Sequence, residues 1–205
     1  MSEAGRKSSG RMWAGIGLAV LLAAGAVWTW MTFVQTYHYA VVTDGVLYRS
    51  GIRSERELKT SRRKSNFKTV VSLVTDEERK LEEFKDEEEF CRDHGIEVIH
   101  VPVNIGCEPK IADVDRFLAV VRDKSKWPVL VHCAQGVQRT GMMVAAYQQR
   151  VLGYNKQQAM DAILGFNKGE ERAAAVRAFI EKWYASCDAG ATPQATAAAT
   201  SAAGG

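Results

Sequence analysis

The segment from Trp127 to Gly141, WPVLVHCAQGVQRTG, constrains the fold of this chain more than any other. It begins with a short apolar run, Val129 to Val131, which is typical of a buried strand. Small and polar residues follow, and the alanine- and methionine-rich stretch from Thr140 to Leu152 is predicted to be a helix. The segment therefore predicts a strand, a tight loop and a helix N-terminus in direct succession.

A cysteine stands at the start of this loop and an arginine at its end. Five residues separate Cys133 from Arg139, and a loop of that length can curl so that its backbone N–H groups point at one anion. The positive end of the following helix dipole adds to the same field. Such a site stabilises a thiolate as well as a phosphate, and it lowers the cysteine pKa below its free value of about 8.5. A nucleophile and an oxyanion receptor in one loop indicate covalent phosphoryl transfer.

Composition and element order indicate one α/β domain. The chain has 205 residues, of which 46% are hydrophobic, enough for a real core. Strands alternate with helices, which predicts a central, mostly parallel sheet flanked by helices, with the loop at the carboxyl end of a strand. The predicted strands are 45–51, 68–74, 96–103 and 128–132. The predicted helices are 54–64, 77–94, 112–123, 140–152, 155–166 and 170–185.

Charge and cysteine content exclude several functional classes. A formal net charge of +3 gives no reason to expect nucleic acid binding. The four cysteines form no CxxC pair, and the four histidines are scattered along the chain. We therefore predict no metal site and no cofactor.

The N-terminal region is predicted to be a membrane segment. Residues 12–34 contain no charged side chain and are long enough to cross a bilayer core of about 30 Å. A cleavable signal sequence is the alternative, with Ala24-Gly25-Ala26 as the cleavage site. Basic residues before the span favour an extracytoplasmic domain in a single-pass membrane protein. The predicted organisation is a basic segment (1–11), a transmembrane helix or signal sequence (12–34), a linker (35–43), the catalytic domain (44–187) and a disordered tail (188–205).

The loop sequence from His132 to Gly141 resembles the HCxxGxxR[ST]G motif of cysteine-dependent protein tyrosine and dual-specificity phosphatases. Residues 44–166 are similar to the catalytic domain of the small dual-specificity group. The opening residues 45–50 are similar to the VLYRSG-type start of its bacterial, plant and fungal branch. The resemblance implies a protein tyrosine phosphatase-like fold and a metal-independent phosphatase.

The resemblance also assigns roles to loop residues. Cys133 would be the nucleophile, and Arg139 would bind two phosphoryl oxygens at once. Thr140 would hydrogen-bond the cysteine sulfur, and His132 would orient the loop. The residues that would bind the substrate are His132, Ala134, Gln135, Gly136, Val137, Gln138 and Arg139.

The general acid is where the sequence departs from the family pattern. Family members protonate the leaving oxygen with an aspartate on a separate loop, and alignment places Ile105 near that position. Glu108 is the favoured replacement, since a carboxyl on a glycine-containing loop can swing to the site. Asp113, Asp115 and Asp76 are the other candidates. Cys107 on the same loop is a candidate redox partner of Cys133.

These residues predict hydrolysis of phosphotyrosine, phosphoserine or phosphothreonine in proteins. The loop has no lysine, which weakens its attraction for a multiply phosphorylated ring. The alternatives are a phospholipid or phosphoinositide phosphatase, which the predicted membrane anchor would favour, and a phosphate-binding pseudophosphatase without an effective acid. A rhodanese-like sulfurtransferase is disfavoured by the Arg139-Thr140-Gly141 ending of the loop.

Overall fold

The strand that ends at Cys133 lies in the middle of a five-stranded sheet. The computed structural model describes residues 4–29, 38–52, 54–164 and 170–190. Within these residues the strands are β1 (Ala40–Thr43), β2 (Leu47–Gly51), β3 (Thr69–Ser72), β4 (Glu97–His100) and β5 (Val129–Cys133). Their order across the sheet is β1-β2-β5-β3-β4.

The sheet is mixed, with one antiparallel edge. β5 pairs in parallel with both β2 and β3, and β4 continues the parallel set beyond β3. β1 pairs antiparallel with β2, because the two are joined by the short turn 44–46, which reverses the chain. The α/β class and the largely parallel sheet are thus confirmed, and the antiparallel strand is an addition.

Helix α1 (Ala4–Thr29) contributes no residue to the core clusters, and its described side chains are exposed. The other helices of the described residues cover both faces of the sheet. They are α2 (Glu55–Ser65), α3 (Glu82–Asp93), α4 (Ile111–Arg122), α5 (Gln138–Arg150), α6 (Lys156–Leu164) and α7 (Glu170–Gly190). Alternation along β5 sends Leu130 into a cluster with Leu58 of α2 and Phe90 of α3. Val129 and Val131 face the opposite cluster, which α4 to α7 build. β5 is therefore buried on both faces, as its continuous apolar run predicts.

The charged helix predicted over 77–94 is interrupted. Glu78–Lys80 forms a separate 3₁₀ turn, and α3 begins only after the extended residue Leu81. The Glu78 carboxylate accepts the backbone N–H of Thr75 at 2.8 Å, and the Thr75 hydroxyl accepts the backbone N–H of Glu78 at 3.2 Å. These local hydrogen bonds hold Glu78 beside the end of β3.

Two other predicted boundaries change. Residues 40–43, assigned to the linker 35–43, form β1 and pair with β2. Residues 188–190, assigned to the tail, extend α7. The rest of that tail, 191–205, lies outside the described residues.

The transmembrane prediction is wrong. Helix α1 spans Ala4–Thr29 and includes the basic residues Arg6, Lys7 and Arg11, whereas residues 30–34 of the predicted span lie outside the described residues. Of the helices in the described part of the chain, none combines the length and the apolar character needed to cross a bilayer. This finding contradicts the predicted single-pass membrane localisation, on which the predicted membrane anchoring and the extracytoplasmic placement of the domain depended.

Candidate active site

The loop after β5 closes around the sulfur of Cys133, which is buried. Gly136 folds back with φ of +66°, a left-handed conformation that side chains disfavour. A Cβ at this position would lie 2.4 Å from the backbone nitrogen of Gly51, so the loop packs directly on the end of β2. Glycine is therefore required here by both backbone conformation and space.

Two hydrogen bonds point at the sulfur. The Gly136 backbone N–H and the Thr140 hydroxyl each donate to Sγ of Cys133 at 3.2 Å. Burial raises the pKa of this thiol, but the charge of Arg139 and these hydrogen bonds outweigh burial and hold the pKa below its usual value. The loop therefore favours the thiolate, which is the nucleophilic form of cysteine.

Arg139 is fixed by a carboxylate and two carbonyls. Its Nη1 and Nη2 atoms donate to the two carboxylate oxygens of Glu78 at 2.6 and 2.8 Å. Nη1 also donates to the carbonyls of Leu73 and Val103, each at 3.3 Å. Because Glu78 occupies the edge formed by the two terminal nitrogens, the Nε edge is the one that can bind a second oxyanion. Burial lowers the pKa of Arg139, but Glu78 and Cys133 more than offset it, so the guanidinium stays charged.

Glu78 is a site residue that sequence reasoning missed. Burial raises the pKa of its carboxyl, but the hydrogen bonds from Arg139 and Thr75 prevail and lower the pKa. In the sequence it is one of many carboxylates between 76 and 93. Its position just beyond β3, the neighbour of β5, was the signal that could have found it, because parallel strands deliver their following residues to one edge.

Arg49 of β2 is a second missed residue. Its side chain is 1% exposed, and Nη2 donates to the carbonyl of Gly136 at 2.7 Å. Charged residues are rarely buried to this extent without a specific partner. The Arg49 side chain therefore connects β2 to the loop on the side away from the cavity over the sulfur.

A buried acid–imidazole pair lies behind the loop as well. Nε2 of His132 lies 2.9 Å from a carboxylate oxygen of Glu87 on α3, with both side chains almost fully buried. Burial lowers the pKa of His132, but the charge and the hydrogen bond of Glu87 raise it by a larger amount. The pKa of His132 is therefore above its usual value. His132 thus faces away from the substrate side, which suits an orienting role.

A cavity of about 190 Å³ opens over the sulfur. It is lined by Glu78, Ile105, Gly106, Cys133, Ala134, Gln135, Gln138 and Arg139. Of the predicted substrate-binding residues, His132 in β5 and Gly136 and Val137 in the loop are buried and do not line this cavity. The arrangement can hold one tetrahedral oxyanion between a thiolate, backbone amides and a guanidinium edge.

The structure does not bring the predicted general acid to the sulfur. Glu108 forms an ion pair with Lys182 at 2.8 Å and lines a neighbouring cavity of about 560 Å³. Asp113 and Asp76 line that second cavity too, as does the exposed Cys107. Over Cys133 the corresponding loop presents Ile105 and Gly106. Glu78 is the one carboxylate among the described residues that line the cavity over the sulfur.

Comparisons with known proteins agree with this geometry. Residues 41–182 match the family model PTP-NADK, described as DSP-PTPase phosphatase fused to NAD+ kinase. A probable chloroplastic NAD kinase 2 from rice is 34% identical over 110 residues, which cover 51% of this chain and 10% of the rice protein. The dual-specificity protein phosphatase TpbA of Pseudomonas aeruginosa is 28% identical over 129 residues, 61% of this chain and 53% of TpbA. The chain thus spans only part of these relatives.

Solved structures show the same fold. The crystal structure of TpbA superposes with a TM-score of 0.54 at 26% identity, covering 67% of this chain and 80% of TpbA. The core catalytic domain of the PP-IP phosphatase SIW14 from S. cerevisiae superposes with a TM-score of 0.61 at 19% identity, covering 77% of this chain and 96% of that domain. Because the SIW14 domain is only 19% identical, its similarity supports the fold and nothing more.

Proposed function

We propose that this chain, which belongs to the PTP-NADK family of DSP-PTPase phosphatase domains, hydrolyses phosphomonoesters through a phosphocysteine intermediate. The family resemblance inferred from the loop motif is confirmed by that membership. The observation that carries the proposal is the surrounding of Cys133: two hydrogen bonds to its sulfur, with Arg139 on the wall of the same cavity.

In the first step the thiolate attacks phosphorus. An S–P bond forms while the P–O bond to the leaving group breaks, and the electron pair of that bond goes to the leaving oxygen. The Nε edge of Arg139 and the loop amides bind the three equatorial oxygens and stabilise their charge in the transition state. The leaving oxygen takes a proton from solvent or leaves as an anion.

In the second step a water molecule attacks the phosphocysteine. The new P–O bond replaces the S–P bond, inorganic phosphate is released, and the sulfur takes back the electron pair as a thiolate. The Thr140 hydroxyl supports this departure, because it donates a hydrogen bond to Sγ of Cys133 at 3.2 Å. No metal or cofactor enters this reaction.

The leaving group decides the preferred substrate. Ile105 lines the cavity where family members carry an acid, and Glu78 is engaged by Arg139. Without an acid, a leaving group must be stable as an anion, which favours the phenol of phosphotyrosine over the alcohols of phosphoserine and phosphothreonine. We therefore propose aryl phosphates, and phosphotyrosine in proteins above all, as substrates.

Ile105 also favours a second candidate function, a phosphate-binding pseudophosphatase. Activity on p-nitrophenyl phosphate, whose leaving group needs little acid assistance, combined with binding but no turnover of a phosphotyrosyl peptide would support this alternative.

One substrate panel tests the proposal. It compares p-nitrophenyl phosphate with phosphotyrosyl and phosphoseryl peptides of one sequence, and with a phosphoinositide and phosphatidylglycerophosphate in detergent micelles. We expect turnover of the first two to exceed that of all the others, with Cys133→Ser as the inactive control. Preferential turnover of either lipid would favour the phospholipid alternative, and no turnover of any substrate would refute the enzyme.

A further inference from the structure

A buried arginine that the reaction scheme does not use lies directly behind the nucleophile. Arg49 belongs to β2, whose parallel register with β5 pairs Arg49 with Val131 and Gly51 with Cys133. The guanidinium therefore enters the site from the sheet side, opposite the cavity. A guanidinium that is 1% exposed is costly to bury, so its surroundings must stabilise its charge.

One loop residue links this guanidinium to the nucleophile. Nη2 of Arg49 donates to the Gly136 carbonyl at 2.7 Å, and the Gly136 N–H donates to Sγ of Cys133 at 3.2 Å. The left-handed conformation of Gly136, with φ of +66°, allows its carbonyl to face Arg49 while its N–H faces the sulfur. The carbonyl and the N–H belong to the two peptide units on either side of the Gly136 Cα, so the contact with Arg49 helps to hold the loop conformation in which both groups have these partners.

The charge of Arg49 reaches the sulfur as well. Burial lowers the pKa of Arg49 to about 10, and the negative charge of Cys133 acts in the opposite direction, so Arg49 is protonated at neutral pH. Several other charged groups are packed around Cys133. They are Glu78 of the 3₁₀ turn, Glu87 of α3, His132 of β5 and Arg139 of α5. Glu78 is paired with Arg139, and Glu87 lies within hydrogen-bond distance of His132.

We propose that Arg49 is a positioning residue for Cys133, an inference that rests on the proposed function. Its guanidinium holds Gly136 through the carbonyl in the loop conformation that directs the Gly136 N–H at the sulfur, and its positive charge stabilises the thiolate from the side opposite the substrate. Arg49 does not touch the substrate, so its loss acts through the nucleophile and the shape of the loop.

The test measures the acidity of the Cys133 thiol in the full chain. Alkylation by iodoacetamide is followed against pH, and mass spectrometry of the Cys133 peptide separates its signal from that of the exposed Cys107. In Arg49→Met we expect the alkylation midpoint to rise by about 1 unit or more, the typical effect of losing a nearby opposite charge. Arg49→Lys keeps the positive charge but lacks the planar guanidinium. Its alkylation midpoint should lie between those of the unsubstituted protein and Arg49→Met.

A matched control removes a similar hydrogen bond elsewhere. Arg116 on α4 donates to the carbonyl of His100 at 3.0 Å on the exposed surface, so Arg116→Met also breaks an arginine–carbonyl contact. Its midpoint should equal that of the unsubstituted protein. Circular dichroism checks the fold of each variant, and if Arg49→Met does not fold, Arg49→Gln, which is neutral but polar, takes its place.

The kinetics give a second readout. With p-nitrophenyl phosphate, we expect the acidic limb of the pH–rate profile to move with the alkylation midpoint, and kcat to fall about tenfold at pH 6 while KM changes less than about twofold. An unchanged midpoint in the folded neutral variant, or a loss confined to KM, would overturn the inference. If the unsubstituted protein shows no turnover, the proposed function fails, whereas the alkylation experiment still decides the role of Arg49.

Discussion

Replacing Glu78 with glutamine isolates what the Glu78–Arg139 pair contributes. The glutamine side chain has the same shape and can still accept a hydrogen bond from Arg139 through its amide oxygen. It lacks the negative charge, however, and its NH₂ group meets the second Nη of the guanidinium as a donor against a donor. The carbonyls of Leu73 and Val103, at 3.3 Å, then become the main partners that hold Arg139.

The expected size follows from the hydrogen bonds lost. Hydrogen bonds to charged groups contribute about 1.5–3 kcal/mol and neutral ones about 0.5–1.5 kcal/mol. The glutamine keeps one hydrogen bond to the charged guanidinium and loses the other, so the substitution costs roughly 2 kcal/mol of anchoring. If the transition state loses all of this stabilisation, kcat/KM falls about thirtyfold, since about 1.4 kcal/mol corresponds to a factor of ten.

The same substitution alters the pH dependence of stability. The pKa of Glu78 is lowered in the folded protein, so its contribution is present above the unfolded value of about 4.3 and is lost as pH falls through the folded value. We therefore expect Glu78→Gln to lower the free energy of unfolding, measured with urea, by the same amount at every pH from about 6 to about 8. Below about pH 4 the difference should shrink.

Glu77→Gln is the matched control. Glu77 precedes Glu78, is 82% exposed in its side chain and pairs only with the neighbouring Lys80 among the contacts described for it. A surface pair of this kind contributes little, so rate and stability should be unchanged. If Glu78→Gln instead keeps or raises kcat/KM for p-nitrophenyl phosphate, Glu78 competes with phosphate for Arg139, and its role as an anchor is refuted.

Three further substitutions test the remaining parts of the site. Cys133→Ser should abolish turnover but still bind tungstate in calorimetry, because the amides and Arg139 remain; loss of binding would show that the sulfur itself holds the oxyanion. Arg139→Lys should lower kcat about 10²–10³-fold, the typical loss when a donor to a transition-state oxyanion is removed, because a point charge cannot replace the planar fork; a loss below tenfold would contradict a bidentate role. Glu108→Gln should leave the basic limb of the pH–rate profile unchanged, since its carboxylate pairs with Lys182 beside the neighbouring cavity; a flattened limb would show that Glu108 reaches the substrate after all.

The contiguous parts of the site could be predicted from the sequence because their chemistry is local. A strand, a loop and a helix N-terminus in one stretch bring Cys133, Gly136, Thr140 and Arg139 together whatever the rest of the chain does. β5 and the helices after it were predicted within a few residues for the same reason.

The residues that support this loop were not predicted, because they come from distant elements. Glu78 lies 61 residues from Arg139, and Arg49 lies 87 residues from Gly136. In sequence each looks like an ordinary surface charge, and only the parallel pairing of β2, β5 and β3 brings them to one edge of the sheet.

Glu87 is different, because the sequence held a local signal for it. It follows Phe84 by three positions and precedes Cys91 by four, and all three are buried on one face of α3. A carboxylate within an apolar helical stripe indicates a buried partner, which here is His132.

The charges around the cavity also limit the kind of phosphate that can bind. Arg139 is the one cationic side chain among the described residues lining the cavity over Cys133, and Glu78 occupies one of its edges. The neighbouring cavity adds four carboxylates, from Asp76, Glu77, Glu108 and Asp113, against the single cation Lys110.

A second phosphate on the same substrate would therefore meet carboxylates on that side instead of a basic partner, and like charges repel most strongly where water is partly excluded. A single phosphate on a neutral or basic peptide avoids this cost. These charges thus support the proposed preference for phosphotyrosine in proteins over a multiply phosphorylated ring.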